Sequence, residues 1–113
     1  MRAWITVFET TAYLSRAKDL LSEEEQEAVV QMVARDPTCG DVMAGTGGVR
    51  KVRFAVGGRG KSGGVRVVYY FHSDEMPLYL LTLFAKNEKA NLTMAERNAL
   101  AALVARLKRA HTR

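Results

Sequence analysis

Residues Gly40 to Phe71 read GDVMAGTGGVRKVRFAVGGRGKSGGVRVVYYF. All nine glycines of the chain lie between Gly40 and Gly64. Arg50, Lys51, Arg53, Arg59, Lys61 and Arg66 supply six positive charges, and no acid occurs between Asp41 and Asp74. Two alternating runs, Val49–Val56 and Val65–Phe71, flank a loop containing Gly57, Gly58, Gly60, Gly63 and Gly64. That pattern predicts a β-hairpin with a long cationic tip. Side chains alternate across a strand, so Val52, Phe54 and Val56 share one side while Lys51 and Arg53 take the other. In the second run Val65, Val67, Tyr69 and Phe71 share one side, and Arg66 shares the other with Val68 and Tyr70. One face can bury against a core while the other presents guanidinium and ammonium groups. The hairpin is the expected working surface.

The flanks complete a small domain. Ala3–Phe8 is rich in β-branched and aromatic residues and predicts a short strand. Thr10 or Thr11 caps a helix running to about Leu21, with Tyr13, Ala17, Leu20 and Leu21 inward. Ser22-Glu23-Glu24-Glu25 is a capping-box pattern that opens a second helix through about Arg35, and Asp36-Pro37 stops it. Leu78–Ala85 (LYLLTLFA) is apolar on both faces, as in a central strand covered on two sides at least in part. Thr93-Met94-Ala95-Glu96 is a second capping box, and Leu100, Leu103, Val104 and Leu107 keep helical spacing behind it. The order is strand, helix, helix, three strands, helix. We expect a single α+β domain over residues 1–113: a small, mostly antiparallel twisted sheet with its helices packed on one face.

Composition narrows the function. At 113 residues the chain can bury one core, and its formal net charge is +5. Residues 22–41 hold six acids against the lone Arg35, so the remainder is more basic than the total. Polyanionic partners are favoured, nucleic acid first and an acidic protein second. One cysteine, Cys39, permits neither an internal disulfide nor a thiolate metal cluster. No cleavable leader or bilayer-length apolar run is evident, so a cytoplasmic location without membrane contact is expected.

Several familiar sites are excluded. His72 and His111 carry no metal or acid–base spacing, and read as a solvated strand end and a frayed terminus. The Gly-Lys-Ser triplet in GGRGKSGG is followed by a strand, whereas a nucleotide-phosphate loop needs a helix there. Cys39 lacks a neighbouring base and reads as a small, partly buried residue. Cationic strands also protect sheet edges, but ordinary surfaces mix both signs, so phosphate binding is the stronger reading. Arginines can grip non-bridging phosphate oxygens bidentately, and a lysine crowded by cations can exchange a proton near neutrality. With no His or Glu in the cleft, such a nuclease would depend on having its substrate positioned for it.

The segments GTGGVRKVRFAVGGRGKSGGVRVVYYF and LYLLTLFAKNEKANLTMAE, with the order of elements, resemble the RelE/HigB superfamily of bacterial toxins, most closely its HigB-type members. The resemblance covers nearly the whole chain. It implies a metal-independent endoribonuclease, without cofactors, that cleaves messenger RNA in the ribosomal A site and inhibits translation. It also implies a cognate antitoxin that blocks the activity, with operator DNA met only through the toxin–antitoxin complex. By the same resemblance Arg66 matches the arginine after the hairpin loop, Lys51 and Arg53 the basic first hairpin strand, and Lys86 the basic residue after the central strand. With Lys61 of the longer loop as an additional lysine candidate, Arg66, Lys61, Lys86 and Arg53 are the expected catalytic set, and Arg50, Lys51, Arg59 and Lys89 the expected RNA-binding set. Members with a catalytic Tyr or His near the C-terminus are not matched, because residues 87–113 contain no Tyr and only His111. The alternatives are a ParE-like inhibitor of DNA gyrase without RNase chemistry and an inactive nucleic-acid-binding relative.

Overall fold

The computed structural model describes residues 5–57 and 64–111. Its elements are β1 (Val7–Glu9), α1 (Thr11–Leu20), α2 (Glu23–Arg35), β2 (Asp41–Val42), β3 (Val49–Phe54), β4 (Val65–Tyr70), β5 (Leu78–Ala85) and α3 (Met94–His111). The strands form one sheet in the order β1-β5-β4-β3-β2, parallel between β1 and β5 and antiparallel elsewhere. The α+β class and the order of the main elements agree with the sequence reading. Of the expected strand Ala3–Phe8, Ala3 and Trp4 lie outside the described residues, and the described pairing with β5 runs from Val7↔Leu78 to Glu9↔Leu80. The two-residue β2 has no periodicity to betray it. It exists by pairing Asp41 with Lys51 and Val42 with Arg50.

Capping residues set the helix starts. Thr10 accepts the Tyr13 N–H at 3.1 Å, and its own hydroxyl donates to the Leu80 carbonyl at 2.8 Å. One side chain therefore begins α1 and fastens it to β5. At α2 both halves of the capping box form: Glu25 N–H to Ser22 Oγ at 3.1 Å, and Ser22 N–H to Glu25 Oε1 at 2.9 Å. The same reciprocal pair joins Thr93 and Glu96 at the start of α3.

The helices divide between both faces of the sheet, which corrects the expected one-sided packing. Tyr13, Ala17 and Leu21 of the α1 segment and Val29 and Val33 of α2 pack with Val65, Val67, Tyr69, Leu78, Leu80 and Leu83. On the other face Val104, Leu100, Leu103 and Leu107 of α3 meet Val49, Val68, Tyr70, Tyr79, Leu81 and Phe84. The reason is compositional. Both parities of β4 and β5 carry large apolar groups, and each needs removal from water.

A bulge makes the two-sided packing possible. Val68 pairs with Thr82 but Tyr69 pairs with Leu80, leaving Leu81 as the extra residue on β5. Strict alternation would put Leu83 on the same side as Tyr79 and Leu81. The bulge reverses the parity, so Leu83 joins the α1–α2 core and Phe84 turns to the α3 face.

Tyr69 secures the start of the hairpin from below. Its buried hydroxyl donates to the Pro37 carbonyl at 2.8 Å and accepts the Gly40 N–H at 2.9 Å. Burial raises its ionisation well above the ordinary tyrosine value. Gly40 is tightly enclosed, since a Cβ would lie 3.0 Å from both the Lys51 carbonyl oxygen and the Tyr69 ring, and one of them would have to shift. Tyr69→Phe keeps the ring but leaves a buried carbonyl and a buried N–H without their partner. We expect a loss of about 2–4 kcal/mol in urea unfolding, with an unchanged denaturant slope. A loss below about 0.5 kcal/mol would mean that water replaces the hydroxyl there.

Candidate phosphate-binding face

The registers of β3, β4 and β5 arrange the α3 face in cross-strand rows. Val49, Tyr70 and Tyr79 form the first row, and Lys51, Val68 and Thr82 the second. Arg53, Arg66 and Phe84 form the third. Four residues of strand separate the first row from the third, about 13 Å. Val104 and the leucines of α3 share a cluster with the whole first row, Val68 of the second and Phe84 of the third. Toward the hairpin tip the same face becomes cationic.

Arg53 and Arg66 are direct cross-strand partners and point to the same side. Opposed side chains in such a pair have Cβ atoms about 4.5–5.5 Å apart, and like charges in that position are destabilising. Two positively charged side chains thus share one rung of a regular ladder. Arg53 is exposed and Arg66 half-buried.

Gly64 fixes the base of this row. Its φ is +67°, and a Cβ there would fall 2.4 Å from the Phe54 carbonyl oxygen. The Gly64 carbonyl also accepts the Lys86 N–H at 3.2 Å. Lys86, exposed in the turn after β5, is thereby placed beside the entrance to β4.

The connection from β5 to α3 folds over the same end of the face. Lys51 Nζ donates to Asn91 Oδ1 at 3.2 Å. Lys89 Nζ lies 5.5 Å from the centre of the Phe84 ring and pairs with Glu96 Oε2 at 2.6 Å. Glu88 accepts the Ala85 N–H at 2.8 Å and pairs with Arg16, whose Nε donates to the Leu83 carbonyl at 3.1 Å. The Ala85 N–H chiefly holds the Glu88 carboxyl below its ordinary range, with Arg16 assisting. Glu96 is lowered first by Lys89 and then by the Thr93 N–H.

Of the expected site residues, the structure therefore brings Arg53, Arg66, Lys51 and Lys89 to one end of one face, with Lys86 at its margin. Arg50 goes elsewhere. It sits opposite Tyr69 on the α1–α2 side, where its Nη1 donates to the Gly40 carbonyl at 2.7 Å and its Nε is buried without a partner. It acts as a strap on the chain leaving α2. Arg59 and Lys61 lie outside the described residues.

The histidines also depart from expectation. His111 Nε2 lies 2.9 Å from the Tyr79 hydroxyl, so the last turn of α3 is tied to the sheet rather than frayed. His72 is exposed and follows β4 at the Tyr70 end, as a strand-end residue should. Both belong to the apolar end of the face, a few strand residues from Arg66. Cys39 is partly buried, with its sulfur 3.7 Å from the Tyr69 hydroxyl. Among the described residues, no group of three or more His, Cys, Asp or Glu is arranged to hold a metal ion, and no helix is long and apolar enough to cross a membrane. Sequence reasoning missed Asn91 and the second partner of Glu96. The capping box was legible, but nothing in it indicates where the other carboxylate oxygen goes.

Comparison with known proteins agrees with this architecture. Residues 5–113 match the family model described as the RelE toxin of the RelE/RelB toxin–antitoxin system. Among solved structures, a mutant of the E. coli toxin RelE in the free state superposes with a TM-score of 0.58. The match covers 90% of this chain and 98% of that one at 13% sequence identity, a likeness of fold.

The opposed arginines generate a stability prediction. Arg53→Thr places a good strand former at an exposed position and removes the repulsion with Arg66. The variant should be more stable by about 0.2–1 kcal/mol, read as a higher urea midpoint. A fall in the midpoint would show that the pair contributes to folding.

Proposed function

The chain belongs to the RelE toxin family, and on that premise we propose that it is a ribosome-dependent endoribonuclease that cuts messenger RNA in the A site. The observation that carries this reading is the Arg53–Arg66 pair at the hairpin end of the α3 face, in a row where only Phe84 joins the apolar cluster. Two cationic side chains that share one rung of a ladder suit a bound phosphate, whose oxygens can accept from both.

In this reading the RNA 2′-hydroxyl loses its proton and attacks the adjacent phosphorus, and the 5′-oxygen leaves with a proton. Arg66, fixed in a regular strand, grips the non-bridging oxygens as negative charge develops on them. Arg53 shares that charge from the neighbouring strand. Lys51 and Lys86 are the amines placed to exchange protons, and Lys89 contacts the flanking backbone. No histidine stands at this row, so the ribosome supplies much of the catalysis by holding the message in an attack geometry. No step in the scheme requires a metal. A cognate antitoxin covers the basic face or blocks its access to the ribosome, and the toxin acts in the cytoplasm.

The test is single-turnover cleavage of a programmed ribosome. Arg66→Lys keeps the charge but loses the planar two-toothed fork, so cleavage should still be impaired. Arg66→Ala should slow it by roughly a hundredfold to a thousandfold, the effect of removing one transition-state donor. Circular dichroism and antitoxin binding serve as folding controls. A folded Arg66→Ala protein that cleaves at the wild-type rate contradicts the assignment.

A further inference from the structure

Glu96 has two tasks in the structure, and only one of them needs a negative charge. As the third helical residue of α3 it accepts the Thr93 N–H through Oε1 at 2.8 Å. Glutamine performs that half of a capping box as well as glutamate does. The second oxygen, Oε2, binds Lys89 Nζ at 2.6 Å. Lys89 stands over Phe84, and Phe84 is the cross-strand neighbour of Arg66. The carboxylate thus neutralises a lysine at the margin of the cationic row, on the side from which α3 rises.

The pair is not a buried structural bridge. The Lys89 and Glu96 side chains are 32% and 40% exposed, and pairs so open to water are weak and screened by salt. Lys89 also has Glu88 as its chain neighbour and feels its charge, but the Glu88 hydrogen bonds go through Oε1 to Arg16 and the Ala85 N–H, so Glu96 is the direct partner of the ammonium. A phosphate arriving at Arg66 could therefore take the Lys89 ammonium at small expense, leaving Glu96 with its capping bond and solvent.

We propose that Lys89 is a phosphate ligand of the basic face held in reserve by Glu96, which stands where an RNA phosphate would and competes with it for the ammonium. The proposal rests on the RNA-binding reading of this face. It gives Glu96 the role of setting affinity: the acid keeps Lys89 ordered and weakens RNA binding by the work of exchanging one anion for another. The exchange also reduces counterion release, because Glu96 recruits a cation from solution when Lys89 departs.

The test is binding of a labelled single-stranded RNA, made uncleavable by 2′-O-methylation, to the purified full-length chain across a salt series. Glu96→Gln keeps the capping bond and frees Lys89, so affinity should rise roughly two- to fivefold at moderate salt. The slope of log affinity against log salt should steepen by roughly 0.7, one additional phosphate contact to a single strand. In a Lys89→Ala background Glu96→Gln should change neither quantity, which separates this contact from a general gain of positive charge. Circular dichroism should show the helix content of Glu96→Gln unchanged. Wild-type affinity and slope in Glu96→Gln, with Arg66→Ala weakened, would overturn the proposal and leave the phosphate-binding face standing. A gain that persists without Lys89 would also overturn it. No salt-dependent RNA binding by the wild-type chain would remove the reading of the face and the proposal together.

Discussion

β4 is apolar on both of its faces, and the structure follows from having to cover it twice. Val65, Val67 and Tyr69 are buried under α1 and α2, while Val68 and Tyr70 are buried on the side of α3. Arg66 belongs to the second side, in the row nearest the hairpin tip, where of the three residues only Phe84 joins the α3 cluster. The single helix on that face therefore leaves one end of the sheet for charge. Burial by α3 and the placing of the basic row toward the hairpin tip are consequences of one arrangement, and in the proposed mechanism stability is concentrated away from the chemistry.

The connection between β5 and α3 links the two ends. Arg16 and Glu88 fasten its beginning to α1 and to the edge of β5, and the Thr93–Glu96 box fastens its end to α3. Arg97 then ties α3 to the Ala44 carbonyl at 3.0 Å, in the loop that Thr46 closes through the Met43 carbonyl and the Val49 N–H. Between these anchors Lys89 and Asn91 reach the basic face. The helix that buries the apolar rows thus also holds two of the groups that border the charged one. In the proposed mechanism, moving α3 would disturb both together.

Much of this was legible in the sequence because it depends on local chemistry. The capping boxes at Ser22–Glu25 and Thr93–Glu96 state where helices begin, and both form. Alternation places Lys51, Arg53 and Arg66 on one side of the hairpin, and the observed register puts them there. What escaped depends on contacts distant in sequence. The bulge opposite Val68 and Tyr69 reverses the parity of β5, and no local signal in LYLLTLFA marks it. The side taken by α3 follows from that two-sidedness, which the apolar run in β5 announced but the one-faced expectation did not use. Arg50 looked like one more cation of the hairpin, yet its parity was that of the core, and it serves the Gly40 carbonyl. His111 looked terminal because its partner, Tyr79, lies 32 residues away.

In the proposed mechanism the basic row acts on RNA presented by a translating ribosome. Mapping the 5′ ends of one message by primer extension, after brief induction of the toxin, tests it most directly when paired with the same message lacking its start codon. New ends at codon-related positions should appear in the translated message, and the untranslated one should remain intact at the same toxin level. Intact messages in both cases, together with trapped gyrase–DNA cleavage complexes, would contradict the account.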